Sequence, residues 1–299
     1  MNLAHIRNFL AVADRGSLRA ASRSLGVAQP VISRSIRDLE RELGAVLFER
    51  SRRGVSLTHI GQSLLARVRA VPQIIAQAQQ EIAQLNGMAG GRVAIGLSMG
   101  AHVSLLPKAL PAFQRRHADV RIELHEGLFP ALEQKLRAGE IDFYVGPASE
   151  ERLGTEYVSE KLHDNSRLVF GRPDHPLAKA ASLAELSSAQ WVTTSVTISG
   201  EAELAPVFEA HGLKAPEIAV ATYSAISMIM VTASSDLLAL MPRQWREFVH
   251  RTGLLVEIPV AEPIAGPAIQ IISRGDFPLT PLAQEMADLF RRSALNLTC

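Results

Sequence analysis

The stretch AASRSLGVAQPVISRSIRDLERELG, residues 20–44, decides the fold of the N-terminal part of this chain. Ser17 is a good N-cap for a short helix, and Gly26 is a good stop signal because glycine tolerates a left-handed backbone. A second helix should begin near Gln29, with Pro30 in its first turn, where proline costs no hydrogen bond. Two helices joined by a short turn predict a helix-turn-helix.

The second helix of this pair is amphipathic. At about 100° per residue, one side carries Ile32, Ile36, Leu39 and Leu43, and the roughly opposite side carries Pro30, Arg34, Arg37 and Arg41. The arginine side has two interpretations. It is either a solvated face with ion pairs from Asp38 to Arg34 and Arg41, or a surface that enters the major groove of DNA.

The leading residues of such a helix suit base recognition. They are Gln29, Pro30, Ser33 and Arg34. A glutamine can bond adenine edges, an arginine can bond guanine, and a serine can bond either base. The sequence therefore predicts contacts with base edges at the start of this helix.

A second feature follows in LFERSRRGVSLT, residues 47–58, which contains two short strand-like runs. The turn between them carries Arg52 and Arg53, so a two-stranded wing could bring arginines to phosphate or to the minor groove. An ordinary solvated turn is the alternative for these two residues.

The charges are divided unevenly along the chain of 299 residues. Residues 1–92 contain 13 Arg and no Lys against 6 Asp or Glu, a net charge of +7, whereas residues 93–299 have a net charge of −6. A basic N-terminal part indicates that this part meets a polyanion.

Residues 1–62 resemble the winged helix-turn-helix of the LysR-type transcriptional regulators. The matching residues are Phe9, Ser17, Ala20, Ala21, Leu25, Val27, Gln29, Pro30, Ser33, Ile36, Leu39, Glu40, Leu43, Gly44, Leu47, Phe48, Arg50, Gly54, Thr58 and Gly61. The resemblance implies base contacts from Gln29, Pro30, Ser33 and Arg34, and backbone or minor-groove contacts from Arg50, Arg52 and Arg53. We add Arg37, which lies on the same helix face, to the predicted DNA-binding residues. The overall length also fits this family, so the resemblance covers essentially the whole chain.

A long helix is predicted after the wing, from Thr58 to about residue 86. Its apolar residues, spaced by three or four, are Ile60, Leu64, Val68, Val71, Ile75, Ala78, Ile82 and Leu85. This near-heptad seam indicates pairing with a partner helix, and packing on its own domain is the alternative. Pro72 predicts a kink. In the resembling family this helix forms the dimer, usually within a tetramer.

Strands and helices alternate from residue 92 onward, which predicts an α/β body. The whole chain is thus expected to be a multidomain α+β and α/β protein, with a winged helix-turn-helix over residues 1–58 and a linker and dimerisation helix over 59–87. The resemblance implies a two-lobed, periplasmic-binding-protein-like effector domain over 88–299. Lobe I would span about 92–162 plus 268–299, and lobe II about 163–267.

Two places in this body suit a small anion, because hydroxyls and backbone N–H groups follow predicted strands. They are Ser98, Met99, Gly100 and His102 after the first strand, and Thr193, Thr194 and Ser195 in the second lobe. Phe143 and Ile198 are further candidates for the wall of the site. Simple helix capping is the alternative for each hydroxyl. An organic acid suits these groups, although Asp236, in place of the family's glycine-containing turn, could repel one.

Several classes of protein are excluded or disfavoured. The chain has no run of eighteen apolar residues and no secretory signal pattern, and its only cysteine is Cys299. We therefore expect a cytoplasmic protein without a disulfide or a cysteine metal site. No H-E-x-x-H, Walker A, G-x-S-x-G or dinucleotide-binding motif occurs, so neither catalysis nor a cofactor is expected.

The sequence-based hypothesis is a regulator that binds double-stranded DNA as a homodimer or homotetramer, responds to a small effector and affects RNA polymerase. The alternative is a two-lobed small-molecule-binding protein or enzyme whose N-terminal helices serve only oligomerisation. That alternative leaves the basic N-terminal part unexplained.

Overall fold

The computed structural model describes residues 1–51, 54–88, 90–148, 153–194, 200–222 and 224–295. Two compact units divide at Ile82 and Ala83. The elements of the first unit, up to the helix that crosses this division, are α1 (Leu3–Arg15), α2 (Leu18–Leu25), α3 (Gln29–Leu43), β1 (Phe48–Ser51), β2 (Gly54–Leu57), α4 (His59–Val68) and α5 (Val71–Leu85).

The helix-turn-helix forms as predicted because its signals are local. The Ser17 hydroxyl accepts a hydrogen bond from the Ala20 amide at 3.4 Å, which caps α2. Gly26 ends that helix with φ at +65°, where glycine has no Cβ penalty. The strands β1 and β2 then pair antiparallel as a wing.

One apolar core holds the first unit together. Its buried residues are Ile6, Phe9, Val12, Ala21, Ile32, Ile36, Leu39, Leu47 and Val68. The apolar face of α3 supplies three of them, so the helix has one possible orientation on the core and its arginines face outward. The Phe9 and Phe48 rings lie 5.3 Å apart, which joins α1 to the wing.

The predicted long helix is two helices. It breaks at Arg69 and Ala70, two residues before Pro72, which occupies the first turn of α5 rather than a kink within a helix. A proline is tolerated in a first turn because the amide there has no helical partner. The prediction of one continuous helix over residues 58–86 is therefore wrong.

The predicted apolar seam is divided as well. Val68 is buried in the core of the first unit, with Leu64 and Val71 packed against it. Ile82 and Leu85 of α5 are 60% and 72% exposed. The alternative of packing on its own domain thus holds for the first half of the seam.

The second unit is an α/β body. Its strands are β3 (Gly91–Leu97), β4 (Val120–Glu126), β5 (Phe143–Pro147), β6 (Tyr157–Gly171), β7 (Gln190–Thr193), β8 (Glu217–Ala221), β9 (Leu238–Pro242), β10 (Val256–Ile258) and β11 (Ile264–Arg274). Its helices are α6 (Met99–Ser104), α7 (Leu106–Gln114), α8 (Phe129–Arg137), α9 (Gly200–Glu209), α10 (Ala225–Ser234), α11 (Trp245–Thr252) and α12 (Pro281–Leu295).

These nine strands form one mixed sheet in the order β4-β3-β5-β11-β6-β9-β7-β8, with β10 paired to β6. The strand β3 runs parallel to β4 and β5, and β7 runs parallel to β8 and β9. The long strands β6 and β11 lie between these two parallel groups and pair antiparallel with each other.

The apolar clusters divide the body into the two predicted lobes. Lobe I buries residues from 93 to 157 together with residues from 269 to 294. Lobe II buries residues from 169 to 264. The chain passes between them within β6 and β11, and the register of this pair shifts between Gly266 and Ile269. We call the paired strands β6 and β11 the hinge strands.

Some predicted elements need correction. The residue pattern over 103–117 predicts a single helix, but the segment belongs to two helices, α6 and α7, and α11 was not predicted at all. Within the described residues, no helix has the length and apolar character needed to cross a membrane.

Candidate nucleic-acid interface and effector cleft

The outward face of α3 presents the predicted base-contacting residues. Gln29, Pro30 and Arg34 are exposed, and Ser33 is half-buried between them and the core. The Arg34 side chain is 81% exposed, so its guanidinium has the reach that contact with a base edge requires.

The ion pairs predicted on this face are present but weak. Asp38 Oδ2 lies 3.8 Å from Arg34 Nε, and Asp38 Oδ1 lies 3.4 Å from Arg41 Nη1. Exposed pairs of this kind contribute about 0.2–1 kcal/mol, so they orient Arg34 but leave its side chain free to move to another partner. Arg37 donates from Nε to the Ser33 carbonyl at 3.3 Å.

The wing is fixed to the helix-turn-helix by backbone and side-chain bonds. The Glu40 carboxylate of α3 accepts from the amides of Leu47 at 2.8 Å and Phe48 at 3.3 Å, at the start of β1. On the other strand, the Val55 amide donates to the Gly16 carbonyl at 3.0 Å. The wing is therefore held in place relative to the recognition helix.

Of the three predicted wing arginines, Arg50 lies on β1, in register with Val55. Arg52 and Arg53 lie outside the described residues. The predicted contacts of these three arginines with the DNA backbone or minor groove remain predictions.

At the first predicted effector site, Ser98 does cap a helix. It is 2% exposed, and its Oγ accepts from the Ala101 amide of α6 at 3.3 Å. Its own amide donates to the Val145 carbonyl at 2.9 Å. Among the described residues no group accepts a hydrogen bond from the Ser98 hydroxyl, so its O–H can still donate to a ligand.

The lobes approach each other at α6. A Cβ added to Gly100 would lie 3.4 Å from Cβ and Cγ of Pro242, at the end of β9 in lobe II. Met99 also packs against the lobe II core. These two predicted residues therefore lie where lobe I meets lobe II, at the carboxyl end of a lobe II strand.

The second predicted site lies at the same edge of the lobe II sheet, because β7 is a parallel neighbour of β9. Thr193 ends β7, is 3% exposed, and accepts at its carbonyl from the Thr222 amide at 2.9 Å. Thr194 follows it and is half-buried. Ser195 and Ile198 lie outside the described residues.

The prediction of Phe143 as a wall residue is corrected by the structure. Phe143 is fully buried in the lobe I core, and its ring meets Phe290 of α12 edge-on at 6.0 Å. It begins β5, whereas the cleft lies beyond the carboxyl ends of the strands. His102 is half-buried, with Nδ1 3.1 Å from the Ser98 carbonyl oxygen.

Sequence reasoning missed the residues of α11. Trp245 and Val249 are buried at positions i and i+4, with Phe248 packed beside them. That helical spacing was a usable signal in the sequence. The opposite face of the same segment carries Arg246 and Arg251, which line a cavity described below.

Known proteins resemble the chain over its whole length. Residues 3–62 match the family model for the bacterial regulatory helix-turn-helix protein of the lysR family, and residues 86–295 match that for the LysR substrate binding domain. The Hca operon transcriptional activator HcaR of Escherichia coli (strain K12) is 33% identical, with 87% of this chain and 88% of that protein covered.

Two further known proteins are similar to this chain over nearly the full length of both chains. The uncharacterized HTH-type transcriptional regulator YdcI of Escherichia coli (strain K12) is 28% identical, with 98% of this chain and 96% of that protein covered. The crystal structure of full-length CbnR complexed with its target DNA has a TM-score of 0.70 at 20% identity, with 98% of this chain and 100% of that chain covered. That likeness establishes the shared fold.

Proposed function

The chain belongs to the family of LysR-type transcriptional regulators and is a DNA-binding regulator with an effector-binding domain, and on that premise we propose which residues perform each task. The family consists of transcriptional regulators, which are not enzymes. DNA binding therefore accounts for the positive charge of the first unit. The alternative hypothesis, in which the N-terminal helices serve only oligomerisation, is not needed to explain them.

Gln29, Pro30, Ser33 and Arg34 read base edges in the major groove, and Arg37 contacts the adjacent backbone. The observation that carries this assignment is the exposed polar face of α3, held outward by Ile32, Ile36 and Leu39 in the core. Arg50, Arg52 and Arg53 of the wing bind phosphate or the minor groove.

The small effector binds between the lobes, between the Ser98 end of α6 and the Thr193–Thr194 end of β7. The free O–H of Ser98, the Thr194 hydroxyl and nearby backbone amides suit a carboxylate, so a small organic acid is the proposed effector class. Met99, Gly100 and His102 form the neighbouring wall, and Ser195 and Ile198 belong to the proposed site as well.

The regulator assembles as a homodimer or homotetramer, because Ile82 and Leu85 leave an apolar strip of α5 exposed. Effector binding favours one arrangement of the lobes and thereby changes the bend of the bound DNA and its use by RNA polymerase. Its place is the cytoplasm, where its DNA partner lies.

The DNA assignment is tested by comparing Arg34→Ala with Arg41→Ala. Both arginines are about equally exposed, at 81% and 80%, and both pair with Asp38. Binding to a selected operator should lose about 1–3 kcal/mol of base discrimination in Arg34→Ala, whereas Arg41→Ala should keep the sequence preference. Equal discrimination in the two variants would contradict the assignment.

The effector site is tested by a thermal-shift screen of the full chain against small organic acids. A ligand at a hundred times its Kd stabilises by about 2.7 kcal/mol, and the shift should vanish in Ser98→Ala and Thr194→Ala. Thr280→Ala is the matched control, because Thr280 Oγ1 accepts from the Ala283 amide at 3.4 Å in the same lobe. A shift that survives both cleft substitutions would move the site elsewhere.

A further inference from the structure

A cavity of about 890 Å³ lies beside the proposed effector cleft. Its walls come from α6 and α7 of lobe I, from the hinge strand β6, and from α11 with the residues that precede it in lobe II. The volume is within the range of sites for small molecules. Ser98, Thr193 and Thr194 are not among the residues that line it, and His102 is the described residue that it shares with the wall of the proposed effector site.

Positive charge predominates on these walls. Lys108, Arg243, Arg246 and Arg251 line the cavity, against Asp164 and Glu247. Arg246 is already neutralised, since it donates to the Glu257 carboxylate at 2.5 and 2.6 Å. Asp164 is likewise paired, with Lys161 at 2.7 Å.

Three cations are left without such compensation. Lys108, Arg243 and Arg251 have no ion-pair partner among the described residues. Among the lining carboxylates, Glu247 likewise has no ion-pair partner in the described part of the chain. The three come from three places in the chain, α7, the segment before α11, and the end of α11. The three exposed side chains line the same cavity, and cations from separate elements can together bind a multiply charged anion.

A buried polar atom adds an independent observation. His163 of β6 lines the cavity and is only 7% exposed. Its Nδ1 lies 2.7 Å from the Asp164 carbonyl oxygen, whereas its Nε2 is buried without a hydrogen-bond partner. The contact with a carbonyl oxygen makes Nδ1 the donor, so Nε2 of the neutral ring is an acceptor, and a ligand O–H that donates to it would satisfy this buried atom.

We propose that this cavity is a second ligand site that binds a small dianion, with Arg243, Arg251 and Lys108 around its charges and, where the ligand carries an O–H as hydrogen phosphate does, that O–H donating to His163 Nε2. Val103, Pro107 and Phe248 offer apolar contact to the rest of such a molecule. A bound dianion touches α7 of lobe I and α11 of lobe II at once, and the site therefore senses the relation between the lobes from outside the effector cleft.

The probes are inorganic phosphate, phenyl phosphate and succinate, titrated into the full chain by calorimetry at constant ionic strength in chloride. The two phosphate probes and succinate separate a phosphate group from a pair of carboxylates. A tighter Kd for phenyl phosphate than for inorganic phosphate is expected from the apolar wall.

The decisive variant is Arg243→Gln with Arg251→Gln, both at exposed positions. It should weaken binding at least about tenfold, which corresponds to 1.4 kcal/mol. The matched control is Lys179→Gln with Lys214→Gln, which removes the same charge from exposed positions of the same lobe outside the cavity. This control should leave the Kd unchanged.

Two further variants separate this site from the effector cleft and from general charge. Ser98→Ala should bind the dianion normally, whereas His163→Phe should weaken the binding of hydrogen phosphate, which can donate an O–H to Nε2, more than that of succinate, which cannot. Loss of binding in Ser98→Ala with retention in the double arginine variant would place the dianion in the cleft and overturn this proposal alone. No binding of any probe, or equal weakening in the lysine control, would also overturn it.

Discussion

The guanidinium of Arg172 binds the carboxylate of Asp236 from two nitrogens, with Nε and Nη2 at 2.8 and 2.7 Å from Oδ1. Asp236 stands in the turn where the sequence raised the prospect of repulsion towards an anionic effector. A carboxylate so engaged exerts a much smaller field than a free one, because the two charges offset each other at a distance. The acid in this turn is thus compatible with an acidic effector.

Asp236→Asn tests this pairing. Since the Asp236 side chain is 63% exposed, the pair should contribute no more than about 1 kcal/mol to the free energy of unfolding. Urea unfolding should show that small loss at low salt and less at high salt, and the affinity for an organic acid should change less than about twofold. A gain of tenfold or more in that affinity would show that Asp236 does repel the effector.

Glu40→Ala should loosen the wing. Its carboxylate accepts two amides at the start of β1, and leaving these donors unpaired costs about 1–3 kcal/mol. Hydrogen exchange at the Leu47 and Phe48 amides should accelerate. Glu40→Gln, which keeps an acceptor oxygen, is the matched control and should retain most of the protection; unchanged exchange in Glu40→Ala would contradict the role.

Gly61→Ala should destabilise the first unit. A Cβ at this position would lie 2.9 Å from Leu57 Cδ2 and closer still to the Leu47 carbonyl oxygen. Because backbone cannot yield as a flexible side chain does, we expect a loss of about 1–3 kcal/mol. The neighbouring exposed position offers the control, Gln62→Ala, which should stay within about 0.5 kcal/mol of the parent in urea unfolding.

Glu285 should make stability depend on acid pH. Hydrogen bonds from Arg116 and His117, each at 2.8 Å, lower the pKa of this carboxyl from its ordinary value of 4.5. Its stabilisation is therefore complete above the unfolded-state pKa and is lost as pH falls through the lower folded-state pKa. Unfolding curves between pH 3 and 7 should show the parent and Glu285→Gln converging at the acid end; a constant difference would exclude this linkage.

Local signals account for what was predictable. Ser17, Gly26 and Pro30 act through their own backbone neighbourhood, so the helix-turn-helix forms where those residues place it. The same holds for the final helix, which the residue pattern predicts over 281–294 and which spans Pro281–Leu295. The recognition face was predictable because the apolar side of α3 has only one core to join.

The failures have a common physical origin in long-range packing. Phe143 was a candidate for the wall of the cleft, but its environment is set by Phe290, far along the chain. The apolar seam was assigned to a partner helix, although Val68 joins a core built by α1 and α3. Neither contact could be predicted from the residues next to Phe143 or Val68 in the sequence. The cavity cations were missed because α7, β6 and α11 meet only in the folded body.

The composition of the lobe I core has a consequence for the order in which the chain matures. Val93, Ile95 and Leu97 emerge early from the ribosome, yet they pack against residues of β11 and α12 that are synthesised almost two hundred residues later. The first unit and lobe II are each drawn from one continuous segment and can fold as they emerge. Lobe I has to keep its first strands soluble until the end of translation, so it is the part of a nascent chain most exposed to aggregation and to chaperones.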